Sequence, residues 1–519
     1  MCDIHFVDTQ APPTSHTVVL AVKTPTLQHS GISHLAEHMS FRRSAHYPAA
    51  HELFATNALL PVSINATTLE ERTFFFATSE HQSLLLNSLH YLYSGMLNHH
   101  YSQQEVACER DGVIFNELAM LEANSDYALN AGIRLGDTST QAYQHAGGFT
   151  QTIGNIHYNA LIAYKQKWYQ PENITIFVYS ESRPLFEKCK QIVADLNGEA
   201  ARASIATETQ SPLGSDSKPQ SEQARRDEMS PVRHVFSWWF PSCFAHGLKM
   251  RENALQSQTA SDDVVFIDPE VNRHGNVAIR FVTFENAPQK QAKIKQRITA
   301  RLAELDITPA NMTNNFDKLP PCVHRAIRYF QTSTLPLRAD QDAKALYLAR
   351  CNEVYHSLAG SLYPRDNSLI ASFQNRQKLA RSSPLDFPPS EEKIAQLGLL
   401  SSHRNMVSLD HLPLLPRLLQ PLANETSELT LFRASAVNLH PRLNPAYGAA
   451  HWVWRVPLCQ QSGLAAALAS SRFWQPRTTG ECYALGAASF EKNIYLFGAN
   501  DINTPLRETW CEAILRNAF

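Results

Sequence analysis

The chain has 519 residues, of which 44% are hydrophobic, and its formal net charge is −2. This length predicts several domains, and the near-zero charge gives no sign of binding to nucleic acid or to an anionic membrane surface. The nine cysteines include no CxxC pair, which predicts reduced thiols in a cytoplasmic or similarly reducing compartment. The N-terminal residues lack the pattern of a signal peptide and no apolar stretch is long enough to span a bilayer, so we expect a soluble protein.

Residues 1–195 are predicted to form a first domain in which strands and helices alternate. Thr17–Thr24 is rich in β-branched residues, and Pro25 ends it. Other segments show the two-residue or 3.6-residue periodicity of a strand or a helix. The predicted strands are Val62–Thr67, Thr73–Thr78 and Ile174–Tyr179, and the predicted helices are Gly31–Arg43, His81–Leu97 and Gln103–Leu121.

The rest of the chain is predicted to contain four further parts. Residues 196–230 are polar and lack aromatic side chains, which is typical of a linker. Residues 231–335 predict a second α/β domain, and residues 336–425 a helical connecting segment. Residues 426–519 form a C-terminal segment with strands predicted at His451–Val456 and Ile494–Phe497. Together these elements predict an α+β fold, in which a mixed or antiparallel sheet packs against helices and two halves are joined by a linker.

A candidate metal site lies in the sequence Gly31-Ile-Ser-His34-Leu-Ala-Glu37-His38. On a helix, residues four apart lie on the same face, so His34 and His38 can bind one ion. Glu37 would lie beside that ion, where a carboxylate can act as a general base for a water molecule. A catalytic zinc ion needs three protein ligands and one open position, so a third ligand must come from elsewhere in the chain.

Glu117 is the best candidate for the third ligand. It lies on the second long predicted helix among apolar neighbours, and a carboxylate in such surroundings needs a partner. The alternative, a solvated glutamate on a helix surface, fits Glu105, Glu109 and Glu122 better. Glu109 lies about two turns before Glu117 and could orient one of the histidines from behind.

At this point the sequence resembles the M16 (insulinase or pitrilysin) metallopeptidases, especially their presequence-protease branch. The resemblance extends from residue 15 to residue 181 through four ordered motifs. These are KTPTLQHSGISHLAEHMSFRRSAHYP, SINATTLEERTFF, GVIFNELAM and HAGGFTQTIGNIHYNALIAYKQKWYQPENITIFVY. The resemblance implies M16-like α/β domains and a Zn²⁺ ion held by His34, His38 and Glu117, with Glu37 as the catalytic base.

The resemblance also implies substrate-binding residues. Asn65 and Ala66 would lie on an edge strand that pairs with extended peptide backbone. Near the C-terminus, the sequence RTTGECYALG is similar to a motif of the branch whose Arg and Tyr contact the substrate carbonyl. Arg477 and Tyr483 occupy those positions, and such donors can stabilise a developing oxyanion. From composition alone, Arg477 would be a surface charge and Tyr483 a half-buried strand residue.

The resemblance implies a zinc endopeptidase that cleaves short unstructured peptides. Members of the branch have two halves of two domains each, so this chain is expected to have a shortened C-terminal half. One alternative is a peptidase that processes a single precursor, either as a homodimer or with a partner subunit of the same family. Another is an inactive subunit that binds peptides or supports a complex. Inactive relatives usually lose part of the HxxEH motif or the distant glutamate, and this chain keeps both.

Overall fold

In the computed structural model, the chain is divided into two compact units, each described here by itself. The first comprises residues 1–123, 146–200 and 386–519, and the second comprises residues 124–145 and 201–385. The structure describes residues 2–9, 15–27, 29–122, 127, 144–207, 233–257, 264–268, 272, 274–283, 288–305, 307, 319–334, 343–351, 354–359, 431–432, 450–456, 461–490 and 493–516.

A five-stranded mixed sheet forms the N-terminal part of the first unit, with strand order β1-β5-β2-β4-β3. β1 and β5 are parallel, and the remaining neighbours are antiparallel. β2 is buried along nearly its whole length because it lies at the centre of the sheet. β3 lies at an edge. The strands are β1 Asp3–Val7, β2 His16–Lys23, β3 Val62–Thr68, β4 Arg72–Ser79 and β5 Ile174–Tyr179.

Helices pack against this sheet and bury its apolar side chains in one core. A π-helical segment, Glu109–Ile114, follows α4 and leads directly into α5. The helices are α1 Ile32–Ser40, α2 Glu52–Leu59, α3 Gln82–Leu97, α4 Gln103–Cys108, α5 Phe115–Glu122, α6 Thr150–Ile153, α7 Tyr158–Trp168 and α8 Arg183–Thr207.

The C-terminal elements of the first unit form a second, four-stranded sheet with strand order β10-β11-β13-β12. Side chains of this sheet and its helices belong to the same hydrophobic core as those of the N-terminal sheet, among them Trp454, Phe473 and Trp474. The elements are β10 Leu431–Phe432, β11 Ala450–Arg455, α14 Gln461–Ala469, α15 Ser471–Thr478, β12 Cys482–Phe490, β13 Asn493–Asp501 and α16 Thr504–Arg516. The first unit therefore brings together both ends of the chain.

The second unit has its own four-stranded sheet and its own core. The strand order is β7-β8-β6-β9, and every neighbouring pair is antiparallel. Trp238 and Phe240 of β6 are completely buried. The elements are β6 Arg233–Pro241, α9 Ala245–Lys249, α10 Glu252–Gln256, β7 Val264–Asp268, β8 Asn276–Thr283, α11 Pro288–Glu304, α12 Pro321–Thr334, α13 Ala343–Cys351 and β9 Val354–Ala359.

The α+β class and the individual strands predicted for residues 1–195 are confirmed, but three sequence predictions need correction. α8 extends to Thr207, because the alanine-rich residues that open the predicted linker favour continuation of a helix already formed; residues 208–230 lie outside the described part. The helical prediction for 336–425 is wrong at Val354–Ala359, which pairs with β6. The helix predicted at Gln103–Leu121 is interrupted by the π-helical segment.

Within the described residues, no helix is both long and apolar enough to cross a membrane.

Candidate metal centre

The first half of the site lies on α1. Gly31 precedes this helix in a left-handed conformation with φ of 78°, and α1 presents His34 and His38 on one face, as the four-residue spacing predicts. Their Nε2 atoms are 3.2 Å apart. Glu37 is buried on the same helix.

The second half of the site depends on the π-helical segment. Glu109 and Glu117 are eight residues apart, and on a regular α-helix this spacing would rotate their side chains about 80° away from each other. A π-helical turn accommodates one extra residue, which returns the two side chains to one face. The structure accordingly places both carboxylates beside the histidines of α1. The sequence predicts a regular helix here, because a π-helical turn has no clear sequence signal.

Three ligand atoms converge between the two helices. Oε2 of Glu117 lies 3.8 Å from Nε2 of His34 and 3.7 Å from Nε2 of His38. A tetrahedral zinc site with bonds of about 2.0–2.2 Å separates its ligand atoms by roughly 3.3–3.6 Å. The observed triangle is close to those separations. His34, His38 and Glu117 also form the one group of potential metal ligands found among the described residues.

The hydrogen bonding of the cluster agrees with a cation between these atoms. Oε2 of Glu117 is buried, yet it has no hydrogen-bond partner among the described residues. Leaving a buried carboxylate oxygen unpaired is costly. Two imidazoles and one carboxylate are a donor set typical of catalytic zinc sites. These residues therefore fit a zinc ion.

Glu109 supports His38 from behind. Its Oε1 accepts a hydrogen bond of 2.8 Å from Nδ1 of His38, which leaves Nε2 facing the other ligand atoms. Burial alone would lower the pKa of His38, but the hydrogen bond to Glu109 and the charge of its carboxylate raise it. This is the orienting contact that metal-binding histidines usually have. The structure thus places Glu109 behind His38, which is one of the two positions that the sequence left open for it.

Two arginines compensate the charge of Glu109, which is only 1% exposed. Arg42 donates a short hydrogen bond to Oε2, and Nη1 of Arg477 lies 3.3 Å from Oε1. Burial would raise the pKa of Glu109, but the charges of Arg42 and Arg477 and the contact with His38 hold it well below its usual range. The sequence analysis did not single out Arg42. Its position four residues after His38 is the signal that could have indicated it, because such a residue continues the same helical face.

Glu37 is held by a chain of threonine hydroxyls. The hydroxyl of Thr68, at the end of β3, donates a short hydrogen bond to Oε2 of Glu37. Thr68 lies 3.0 Å from Thr73, which in turn lies 2.8 Å from Thr24. Thr73 and Thr24 are fully buried. Sequence reasoning did not single out Thr68, because only strand pairing brings it to the base.

Tyr483 lies beside the cluster, at the start of β12. Burial, then the negative charge of Glu117 and an interaction of the hydroxyl with that carboxylate, raise the pKa of Tyr483. The charge of Glu37 also raises this pKa, but less than the charge of Glu117 does. The structure therefore brings a residue from the C-terminal segment to the residues of α1 and α5.

Arg477, for which the resemblance implies a contact with the substrate carbonyl, lies against Glu109 in the structure. Its side chain is buried, contacts Glu109 and stacks over the ring of Phe54 at 4.8 Å. The guanidinium is therefore engaged with the carboxylate that supports His38. The physical reason is the buried charge of Glu109, which requires cationic partners.

Asn65 and Ala66 lie on β3, the edge strand, as expected. They pair with Phe76 and Phe75 of β4, so one side of β3 remains without a strand partner among the described strands. The side-chain oxygen of Asn65 accepts a hydrogen bond of 2.8 Å from the backbone N–H of Ala66. A peptide that adds to this edge through that N–H must displace the Asn65 side chain.

Part of this chain is similar in sequence to known peptidases. Residues 24–144 match the family model described as insulinase (peptidase family M16), and this range contains His34, His38, Glu109 and Glu117. The mitochondrial presequence protease of Eremothecium gossypii is 27% identical over 199 residues, which cover 35% of this chain and 20% of that protein. The mitochondrial presequence protease of Saccharomyces cerevisiae is 26% identical over 203 residues, which cover 36% of this chain and 20% of that protein.

Residues 24–144 thus resemble the insulinase family of M16 peptidases, and the chain matches about a fifth of the length of these relatives. Among solved structures, the ferredoxin protease FusC in complex with Arabidopsis ferredoxin has 14% sequence identity and a TM-score of 0.41, covering 96% of this chain and 63% of that chain.

Proposed function

We propose that this protein is a zinc-dependent endopeptidase in which His34, His38 and Glu117 hold the metal. The observation that carries the proposal is the convergence of two imidazole nitrogens and one unpartnered carboxylate oxygen at separations of 3.2, 3.7 and 3.8 Å. Zinc, when bound at such a site, acts as a Lewis acid that activates water and polarises a carbonyl group.

Glu37 is the general base of the proposed reaction. It takes a proton from the attacking water and can return it to the leaving amine. The hydrogen bond from Thr68 fixes one of its oxygens and leaves the other for the water. The Tyr483 hydroxyl, which interacts with Glu117, is the donor available to the substrate carbonyl oxygen as it gains charge.

The proposed substrates are short, unstructured peptides. Extended backbone can add to the edge of β3 beyond Ile64, whose N–H and C=O are hydrogen-bonded to Asn57. The last residue of this strand, Thr68, contacts Glu37. A peptide bound at this edge therefore passes next to the catalytic base. We place the enzyme in a reducing compartment such as the cytoplasm, which is supported by the lack of any CxxC pair among its nine cysteines.

Metal analysis together with peptide turnover tests the proposal. The purified protein should bind one zinc ion per chain, and it should cleave a quenched fluorescent peptide until a chelator is added. Glu37→Gln should keep its zinc and lose about 10²–10⁴-fold in turnover, because an amide cannot accept the proton. Glu187→Gln, at an exposed position of α8, is the matched control and should behave as the wild type.

Two results would contradict the proposal. Wild-type turnover in Glu37→Gln would exclude Glu37 as the base. A wild-type protein that binds zinc but cleaves none of a mixed peptide library would favour the inactive, peptide-binding alternative.

A further inference from the structure

The metal centre depends on a single buried carboxylate for its orientation. Nδ1 of His38 is hydrogen-bonded to Glu109, whereas Nδ1 of His34 is buried without a hydrogen-bond partner among the described residues. The two histidines are therefore supported unequally. Whatever fixes Glu109 also fixes the ring of His38, and with it one of the three ligand atoms.

The groups that fix Glu109 come from both ends of the chain. Arg42 lies just after α1, and Arg477 lies in the last turn of α15. Both guanidinium groups contact the Glu109 carboxylate, one at each oxygen. A buried carboxylate that loses one of two cationic partners keeps only part of the compensation for its charge, which is destabilising. Arg477 is consequently needed to hold Glu109 in place.

Backbone contacts hold the segment that carries Arg477 against the π-helical segment. Besides its contact with Glu109, the Arg42 guanidinium donates a hydrogen bond of 3.3 Å to the backbone carbonyl oxygen of Thr478. Gly112 lies so close to Gly480 that a Cβ atom on Gly112 would come within 2.5 Å of the Gly480 Cα. Gly480 itself has φ of 82°, a conformation that favours glycine. Residues 471–483, here called the docking segment, are thus fitted by shape to the helix that bears Glu109.

We infer that Arg42 and Arg477 are positioning residues for the metal centre, and that metal binding and docking of residues 471–483 reinforce one another. The inference rests on the zinc site of the proposed function and adds a role for the C-terminal segment in forming it. The docking segment orients Glu109, Glu109 orients His38, and a correctly oriented His38 binds the metal. By thermodynamic linkage, the bound metal must stabilise the docked segment by the same factor.

Zinc affinity, measured by competition with a chromogenic chelator, tests the first half of this inference. Arg477→Met keeps the apolar stem over Phe54 but removes the charge, and it should weaken zinc binding about 10–100-fold. Arg477→Lys restores a positive charge and should recover part of the affinity. Arg472→Met, at an exposed position of the same helix, is the matched control and should bind zinc as the wild type does.

Hydrogen–deuterium exchange of the wild-type protein, with and without zinc, tests the second half without any variant. Zinc should slow amide exchange in peptides from residues 471–489 as well as in peptides from α1. Equal zinc affinity of the wild type and Arg477→Met would overturn the positioning role. Protection confined to α1 would overturn the coupling. If the wild type binds no zinc at all, the zinc site of the proposed function fails, which is a distinct outcome.

Discussion

Lys165 offers a quantitative test of the packing beneath α1. Its ammonium group is completely buried on α7, donates hydrogen bonds to Ser40 Oγ at 2.9 Å and to Gly95 O at 3.2 Å, and lies 4.6 Å from the ring of Tyr169. No described acidic side chain forms a salt bridge with it. Burial lowers the pKa of Lys165 from 10.5 to about 7. The neutral acceptors therefore do not offset the loss of hydration.

This shift has a defined effect on stability. Between pH 7 and 10.5 the folded chain holds Lys165 neutral, while the unfolded chain keeps the proton. The unfolded state then binds more protons, so the contribution of Lys165 to the free energy of unfolding rises with pH across this window and is most unfavourable below pH 7. At 1.36 kcal/mol per pH unit, the rise is about 2 kcal/mol between pH 7.5 and 9.

Lys165→Met removes the titrating group and keeps an apolar side chain of similar length. The free energy of unfolding of both proteins is measured by urea titration followed by circular dichroism. Relative to the wild type, the free energy of unfolding of the variant should rise by about 2 kcal/mol as the pH falls from 9 to 7.5. Lys167→Met, at an exposed position of the same helix, is the control and should show no such trend. A difference between Lys165→Met and the wild type that stays constant with pH would refute the reasoning.

Three further variants test the site. Thr68→Val should lower kcat roughly tenfold and leave KM unchanged, because it releases Glu37. The control Thr78→Val, which breaks the hydroxyl contact of 2.9 Å with Thr17, should leave kcat unchanged. Equal kcat values for Thr68→Val and the wild type would exclude the positioning of Glu37 by Thr68. Gly480→Ala should destabilise the docked segment by about 2 kcal/mol and weaken zinc binding. The control Gly154→Ala, whose Cβ meets nothing within 4 Å, should do neither. Unchanged zinc affinity in Gly480→Ala would contradict the shape fit. Tyr483→Phe should lower kcat about 10–100-fold at constant zinc content, and unchanged turnover would remove Tyr483 from the site.

Local patterns in the sequence were sufficient for part of this site. The four-residue spacing of His34 and His38 places both imidazoles on one helical face, because helical geometry depends only on neighbouring residues. Glu117 could be selected because a carboxylate among apolar neighbours needs a partner. The strands of the N-terminal sheet were predictable for the same reason, since β-branched and aromatic residues favour them locally.

Other features depend on contacts between residues far apart in the chain. The sequence left the π-helical turn unpredicted, although it decides that Glu109 and Glu117 share a face. Arg477 could be singled out by its motif, but its place behind His38 follows from the buried charge of Glu109, 368 residues earlier. Residues Val354–Ala359 were predicted as helix from local sequence. They form a strand because pairing with β6 outweighs the local preference.

The sequence by itself therefore determined which residues are candidates for a metal site and which helices carry them. Only the tertiary structure decided that the C-terminal segment shares a core with the N-terminal domain and places a cation, Arg477, against Glu109. The physical reason is that periodicity records the burial of one face of an element but not the identity of what covers that face. The close approach of Gly112 to Gly480 illustrates this limit of local patterns. Each glycine permits close backbone contact, but only the tertiary fold brings the two together.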